Sequence, residues 1–288
     1  MEEKIDLINL IKEKFEDLSK GQKLIANYII SNYDKAAFMT AARLGQVVGI
    51  SESTVVRFAN TMGYDGYPNL QSELQELIKS KLTTVQRLSM SQDDYSNKNI
   101  GVRKILKTDM ENIRHTIDDI DTEIFEEVVN SILKAKKVYI LGLRSSNALS
   151  SYLGFYLGVI LDDVKVVNLG ISDIFEQLIR VTKDDVVIGI SYPRYSRRTL
   201  DALKYVRDQG CKVIGITDSE ASPITSIAHL TLFARNNMVS FVDSLVAPMS
   251  LINALIVSIG MRVKNEVAEY FQELENIWEE YNIYDRKL

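Results

Sequence analysis

From Lys4 to about Leu82 the apolar residues recur at helical spacing: Ile5, Ile8, Ile11 and Phe15 share one face, and Leu24, Ile25, Tyr28 and Ile29 share the next. This part of the chain is expected to be all helix, with Ser19 as the N-cap of the second helix and "SNYD" as its close. The stretch Thr83–Asn99 is polar and rich in Ser, Asp and Asn, without sustained periodicity, and is expected to be a linker. After Ile100 a long amphipathic pattern runs to about Ala135. The period then changes. "KVYILGL", "VKVVNLG", "DVVIGIS", "CKVIGITD" and "HLTLFA" are short β-branched apolar runs, most of them separated by enough chain for a helix. Continuous apolar strands alternating with helices predict a parallel sheet covered on both faces. The segments Phe241–Arg262 and Val267–Tyr281 are expected to be helices after the last strand. The organisation expected is an all-α domain over 1–82, a linker over 83–105 and a doubly wound α/β domain with a five-stranded parallel sheet over 106–288.

Within the helical part, "TAARLGQVVGISESTVVRFANTMGYDGYPNL" has the layout of a helix-turn-helix. Thr40 can cap a short helix through Val47, Gly49 can make the turn, and Ser51 can cap a second helix ending at Gly63. Val55, Phe58, Ala59 and Met62 fall on one face of that second helix and are expected to be core. Ser51 at its start and Ser53, Thr54, Arg57, Asn60 and Thr61 on the other face are hydrogen-bonding groups of the kind that contact base edges in a major groove. A small helical bundle with a solvated polar face has the same spacing, and Glu52 is unfavourable beside a phosphate backbone.

In an open α/β sheet, ligands bind beyond the carboxyl ends of the strands, where helix N-termini offer free N–H groups to an anion. The first strand leads into "GLRSSN": Gly142 for a sharp exit, Arg144 for charge, Ser145 and Ser146 for hydroxyl and N–H donors. The third leads into "SYPRYSRRT", with Ser191, Arg194, Ser196, Arg197, Arg198 and Thr199 crowding the next helix start. Each loop could also be a capped, solvated helix terminus, but two at one edge of one sheet point to an anionic ligand such as a phosphate. "GLRSSN" has neither the lysine of a GxxxxGK[ST] motif nor the glycines of GxGxxG, which disfavours a nucleotide, and no cofactor is expected.

Composition narrows the picture further. A net charge of −5 and pI near 5.3 give no global attraction to nucleic acid, so DNA binding must be local. The single cysteine, Cys211, cannot form an internal disulfide and is expected to be a buried thiol; with two histidines, His115 and His229, it leaves little for a transition metal. The apolar run around Leu245–Met261 is broken by Ser244, Ser250, Asn253 and Ser258, and the N-terminus lacks the pattern of a secretory leader, so a cytoplasmic protein with no membrane segment is expected.

With both sites in view the chain resembles the RpiR family of bacterial transcriptional regulators, which join an N-terminal helix-turn-helix domain to a C-terminal SIS (sugar isomerase) phosphosugar-binding domain. The resemblance covers about 18–77, through "LSKGQKLIANYI" and "ISESTVVRFANTMGYDGY", and about 128–263, where the family's GxGxS loop falls on Gly142, Arg144 and Ser146 with arginine in place of the second glycine. "SYPRYSRRT" looks like the regulators' form of the third-strand loop, and "TDSEASPI" like the next loop. The resemblance implies operator DNA and a phosphorylated sugar or amino sugar as partners, and a homodimer or homotetramer. The rival is a sugar-phosphate isomerase, which needs a general base: His229 starts the fifth strand, His115 precedes the sheet, and Glu176 is a single carboxylate on a helix, all more readily structural. A helical protein-interaction module joined to a sugar sensor is a third reading.

Overall fold

Helical periodicity in the first part of the chain becomes α1 (Leu7–Glu13), α2 (Lys20–Ser31), α3 (Tyr33–Ala36), α4 (Ala41–Val48), α5 (Glu52–Thr61) and α6 (Tyr67–Lys79). The structure is a computed structural model that describes residues 7–79, 98–170, 172–237 and 242–284. The chain divides into two units, Met1–Arg87 and Leu88–Leu288. In the first, Ser19 caps α2 in a reciprocal capping box with Gln22, satisfying two otherwise orphaned N–H groups. Ile25, Ala26 and Ile29 of α2 are fully buried with Leu44, Val55, Phe58 and Leu70. Leu24 was expected on that buried face; it is exposed, because the apolar stripe of α2 is centred on Ile25 and Ile29, about one turn apart, and Leu24 falls beyond its edge. Of the expected first stripe, Ile11 is buried, and Ile5 lies outside the described residues. The Tyr67 hydroxyl, buried under the α3–α4 turn, donates to the Met39 carbonyl at 2.8 Å, and burial pushes its pKa up to about 12.

The second unit opens with α7 (Lys98–Asp119) and α8 (Thr122–Lys134). Positions 98–105 were expected to belong to a linker; they are helical, the opening of α7, while 80–97 lie outside the described residues. There follow β1 (Val138–Gly142), α9 (Asn147–Ile160), β2 (Val164–Val167), α10 (Ile174–Leu178), β3 (Val186–Ile190), α11 (Arg197–Asp208), β4 (Lys212–Thr217) and β5 (Leu230–Phe233). Two helices close the described chain, α12 (Val246–Arg262) and α13 (Lys264–Glu280).

All five apolar runs are parallel strands, in the order β2-β1-β3-β4-β5. Alternate residues serve opposite faces. Ile140, Ile188, Ile214 and Ile216 pack with α8, α9 and α12, whereas Tyr139, Leu141, Val187 and Val213 pack with α10 and α11. Because β2 lies on one side of β1 and β3 on the other, the chain reverses its winding between β1 and β3, and it is beyond the carboxyl ends at such a reversal that open α/β sheets bind ligands. Gly142 pairs with Ile190, so both loops leave the sheet at one level from adjacent strands.

Cys211 is fully buried, its thiol directed at the Asp185 carbonyl at 3.2 Å, and burial raises its pKa to about 12. A shift from the ordinary 9.0 to about 12 lowers the thiolate fraction near pH 8 about a thousand-fold. Iodoacetamide should therefore alkylate the folded protein at least that much more slowly than the urea-unfolded chain; equal rates would contradict the burial.

Candidate nucleic-acid interface and effector site

The helix-turn-helix geometry arises from three local features. Thr40 accepts from the Arg43 N–H at 3.2 Å and starts α4. Gly49 ends it in the left-handed region, φ +78°, where a side chain would be strained. Ser51 occupies the N-cap position of α5 but does not cap it through its side chain as expected: its hydroxyl lies 3.0 Å from that of Ser53 and 2.9 Å from that of Thr54, tying three hydroxyls together. Val55, Phe58 and Ala59 are buried, with Met62 just past the helix end, as their spacing predicts.

The polar face of α5 is less uniform than the spacing suggested. Ser51, Ser53, Arg57 and Asn60 are exposed. Thr61, though exposed, is committed to holding the unit together: its hydroxyl donates to the Arg57 carbonyl at 2.9 Å and accepts from Gln22 of α2 at 2.8 Å. The Asn60 side-chain oxygen accepts from the Gly66 N–H at 3.1 Å, fixing the turn into α6. Thr54 faces α2, its methyl 3.3 Å from where a Cβ on Gly21 would stand. Ser51 and Ser53 at the helix start, and Arg57 in mid-helix, which donates to the Thr54 hydroxyl at 3.4 Å, are exposed and bond through their side chains only within α5 and its N-cap.

In the second unit the turn after β1 is tight. A Cβ on Gly142 would stand 2.6 Å from the Ser146 carbonyl oxygen, so the glycine expected to permit a sharp exit is required by this close approach of backbone. Its φ is not in the left-handed region; the residue that takes that conformation is Arg144, φ +57°. Arg194, in the loop after β3, does the same at +65°. Left-handed backbone is uncommon for residues with a Cβ and costs of order 1 kcal/mol or more. Here it occurs twice, at arginines on adjacent strand ends.

Ser146 and Ser191 are buried residues whose hydroxyls have no hydrogen-bond partner among the described residues. Ser145 and Arg144 are exposed, and Arg144 lines a cleft of about 380 Å³ with Leu143, Asn147, Asn168 and Leu169. The start of α9 has no side-chain cap, whereas Ser196 caps α11 by accepting from the Thr199 N–H at 3.3 Å. Ser196 thus does the structural work that its position also allowed. Arg197 was expected at the site; it extends into solvent and pairs with Asp201, one turn farther from the strand ends. Arg198 pairs with Asp173, the N-cap of α10. Only Arg194 of the three third-strand arginines keeps a place in the loop proper.

Sequence reasoning missed several groups at this edge. Asp218 is buried after β4 and accepts from Tyr195 at 2.9 Å and from Thr217 at 3.1 Å. Tyr192 is buried without a partner for its hydroxyl, and burial, then the Asp218 charge, raises its pKa well above the ordinary value. Asn147 and Asn168 line the cleft. A single polar residue in a loop or at a helix start gives no periodic signal, so only the fold reveals these groups. Two of the possible bases of an isomerase have structural roles: His229 accepts the Val213 N–H on Nδ1 at 2.9 Å at the opposite end of the strands, and Glu176 closes the capping box of α10; the third, His115, is exposed on α7, before the sheet.

Two family models match this chain: the rpiR-family helix-turn-helix domain over residues 5–81 and the SIS domain over 131–258. The chain belongs to the rpiR-type helix-turn-helix regulators that carry a SIS domain. Among relatives of the same kind, an HTH-type transcriptional regulator of Haemophilus influenzae is 25% identical over 242 residues, 80% of each chain. HexR of Pseudomonas aeruginosa is 24% identical over 232 residues, 79% of this chain and 78% of its own. The sugar isomerase domain of an RpiR transcription factor from Sphaerobacter thermophilus is 28% identical with a TM-score of 0.58, covering 60% of this chain and 97% of that one. The Vibrio vulnificus NanR protein, complexed with ManNAc-6P, shares the fold at 19% identity and a TM-score of 0.57, over 96% of this chain and 98% of its own.

Within this rpiR-type chain Gly142→Ala tests the turn. Overpacking of this kind costs about 1–3 kcal/mol, so urea unfolding of the second unit should shift to lower denaturant by a corresponding amount. An unchanged midpoint would mean that the turn relaxes freely.

Proposed function

We propose that this regulator binds operator DNA through α5 and senses a phosphorylated sugar or amino sugar at the crevice between β1 and β3. The observation that supports the reading is the pair of in-register loops, each with an arginine in the left-handed conformation and a mostly buried serine whose hydroxyl bonds to none of the described residues. Backbone strain persists where the surroundings enforce it, and it concentrates at ligand sites. The phosphate is favoured at the β1 side, where the N-terminus of α9 lacks a side-chain cap and Arg144 supplies charge. On the β4 side the buried Asp218 opposes an anion and suits the hydroxyls of a sugar. An enzyme would need a base at this edge, and the histidine and glutamate considered for that task are engaged elsewhere. Ser146 and Ser191 are the donors, with Arg144 and Arg194 beside them and Ser145 at the rim. The regulator acts as at least a dimer, since readers of this type pair across half-sites about one helical turn apart.

Arg57 reads a base. Arg57→Ala should weaken operator binding by about 1–3 kcal/mol and leave random duplex much less affected; fluorescence anisotropy on both duplexes decides it, and equal losses would assign Arg57 to the phosphate backbone. For the effector, a charge-assisted hydrogen bond contributes about 1.5–3 kcal/mol. Thermal-shift screening of phosphosugars should find a stabilising ligand, whose affinity falls at least about a hundred-fold in the Ser146→Ala, Ser191→Ala double variant. Unchanged affinity would remove both serines from the site.

A further inference from the structure

Helix α7 has its amphipathicity reversed. The side turned toward its own unit is polar: Asn112 is fully buried, its amide donating to the Asn237 carbonyl at 2.9 Å and accepting from the Asn237 N–H at 3.0 Å. The buried Thr116 hydroxyl accepts from the Arg235 N–H at 2.9 Å, and Asp109 accepts from Ser244 at 2.6 Å. The outward side is apolar. Val102, Leu106, Met110 and Ile117 are 60%, 58%, 69% and 66% exposed. With Ile113, half-buried between them, they recur every three or four residues and form one continuous stripe. A helix fastened by hydrogen bonds on its inner face and apolar on its outer face needs another surface over it, because contiguous exposed apolar area of this kind is rare in a chain that stays monomeric.

We infer that the stripe is covered by α7 of a second copy, packed antiparallel about a two-fold axis beside Met110. The inference rests on the dimeric reading above and names the surface that makes the dimer. Charge selects the occupant and its direction. The first half of α7 carries Arg103, Lys104 and Lys107, whereas the second carries Glu111 and Asp118 together with one exposed cation, Arg114, which pairs with Asp118. Antiparallel pairing sets the cationic first half of one copy against the second half of the other, where Glu111 and Asp118 outnumber Arg114, while a parallel pair sets Arg103, Lys104 and Lys107 against their own counterparts. Antiparallel helix dipoles also attract. About that axis Met110 meets its own counterpart and Val102 meets Ile117. The contact is isologous, so it closes without leaving a sticky face. A stable interface buries about 1,200–2,000 Å², more than one helix pair supplies. Val242 and Val246, both exposed, flank the Ser244 that donates to Asp109, and they extend the apolar surface beside α7.

Cross-linking and mass measurements on the full chain test this. Cys211 is buried, so an introduced cysteine reports alone. Under mild oxidation Met110→Cys should form a covalent dimer at low micromolar concentration. Val102→Cys alone should not, and Val102→Cys combined with Ile117→Cys should, as facing Cα atoms across a tight helix pair lie within disulfide reach. By sedimentation velocity the wild type should have at least twice the mass of the 32.7 kDa chain, and Leu106→Glu with Met110→Glu should halve it while the circular dichroism is retained. A monomeric wild type would overturn both this inference and the dimeric reading. A dimeric wild type whose mass the double glutamate variant leaves unchanged, or in which Met110→Cys fails to cross-link, would overturn the α7 interface alone. Cross-linking of Val102→Cys by itself would establish a parallel pair and contradict the antiparallel one.

Discussion

The Ser146 carbonyl oxygen would stand 2.6 Å from a Cβ on Gly142, and much of what happens at the strand ends depends on that approach. Because β1 must turn into α9 in so few residues, Arg144 is held in the left-handed region and Ser146 is buried at the helix start. Parallel pairing of Gly142 with Ile190 then sets the loop after β3 at the same level. Two arginines in a conformation that few residue types tolerate, and two mostly buried serines, thus stand on the loops of adjacent strand ends. Donors held in place before a ligand arrives lose little freedom on binding, which favours affinity and discrimination together.

The division of labour among polar groups follows from which of them the fold has already used. Ser196, Arg198, Glu176 and His229 all stand in chemically suggestive sequence, and each is bonded to a neighbouring element that it caps or anchors. Ser146 and Ser191 are not. The same sorting applies to α5, where Thr61 braces the helix against α2 while Ser53 and Arg57, exposed, bond only to Ser51 and Thr54 beside them. A polar residue with a full set of partners has little left to offer a ligand, and that criterion separates scaffold from site more sharply than residue type does.

Much of this was legible in the sequence, for identifiable reasons. The β-branched runs from "KVYILGL" to "HLTLFA" have no alternation because both faces of the sheet are covered, and that pattern marks buried parallel strands. Gly49 between Val48 and Ser51 marked the turn of the DNA-binding motif, because little else adopts φ +78° there. Tyr192, Asp218 and Asn168, single residues in loops, and Asn147, the first residue of α9, were not legible: what matters is which strand ends stand side by side. The opening turns of α7 were hidden for the opposite reason, since a helix with its polar side inward and its apolar side outward does not announce which face is the core.

In a regulator of net charge −5, DNA affinity has to come from a few local contacts, and a ligand that shifts their arrangement slightly can change occupancy of an operator substantially. The central claim is that the crevice between β1 and β3 and the helix α5 are coupled. Coupling of binding free energies is reciprocal: the factor by which a ligand changes operator affinity is the factor by which operator changes ligand affinity. The most direct test is calorimetric titration of the stabilising phosphosugar into the full chain with and without saturating operator, alongside operator titrations with and without the sugar. The account predicts that the two ratios agree and differ from one, by about 5–150-fold for typical coupling. A phosphosugar that binds with the same affinity whether or not operator is present would contradict it.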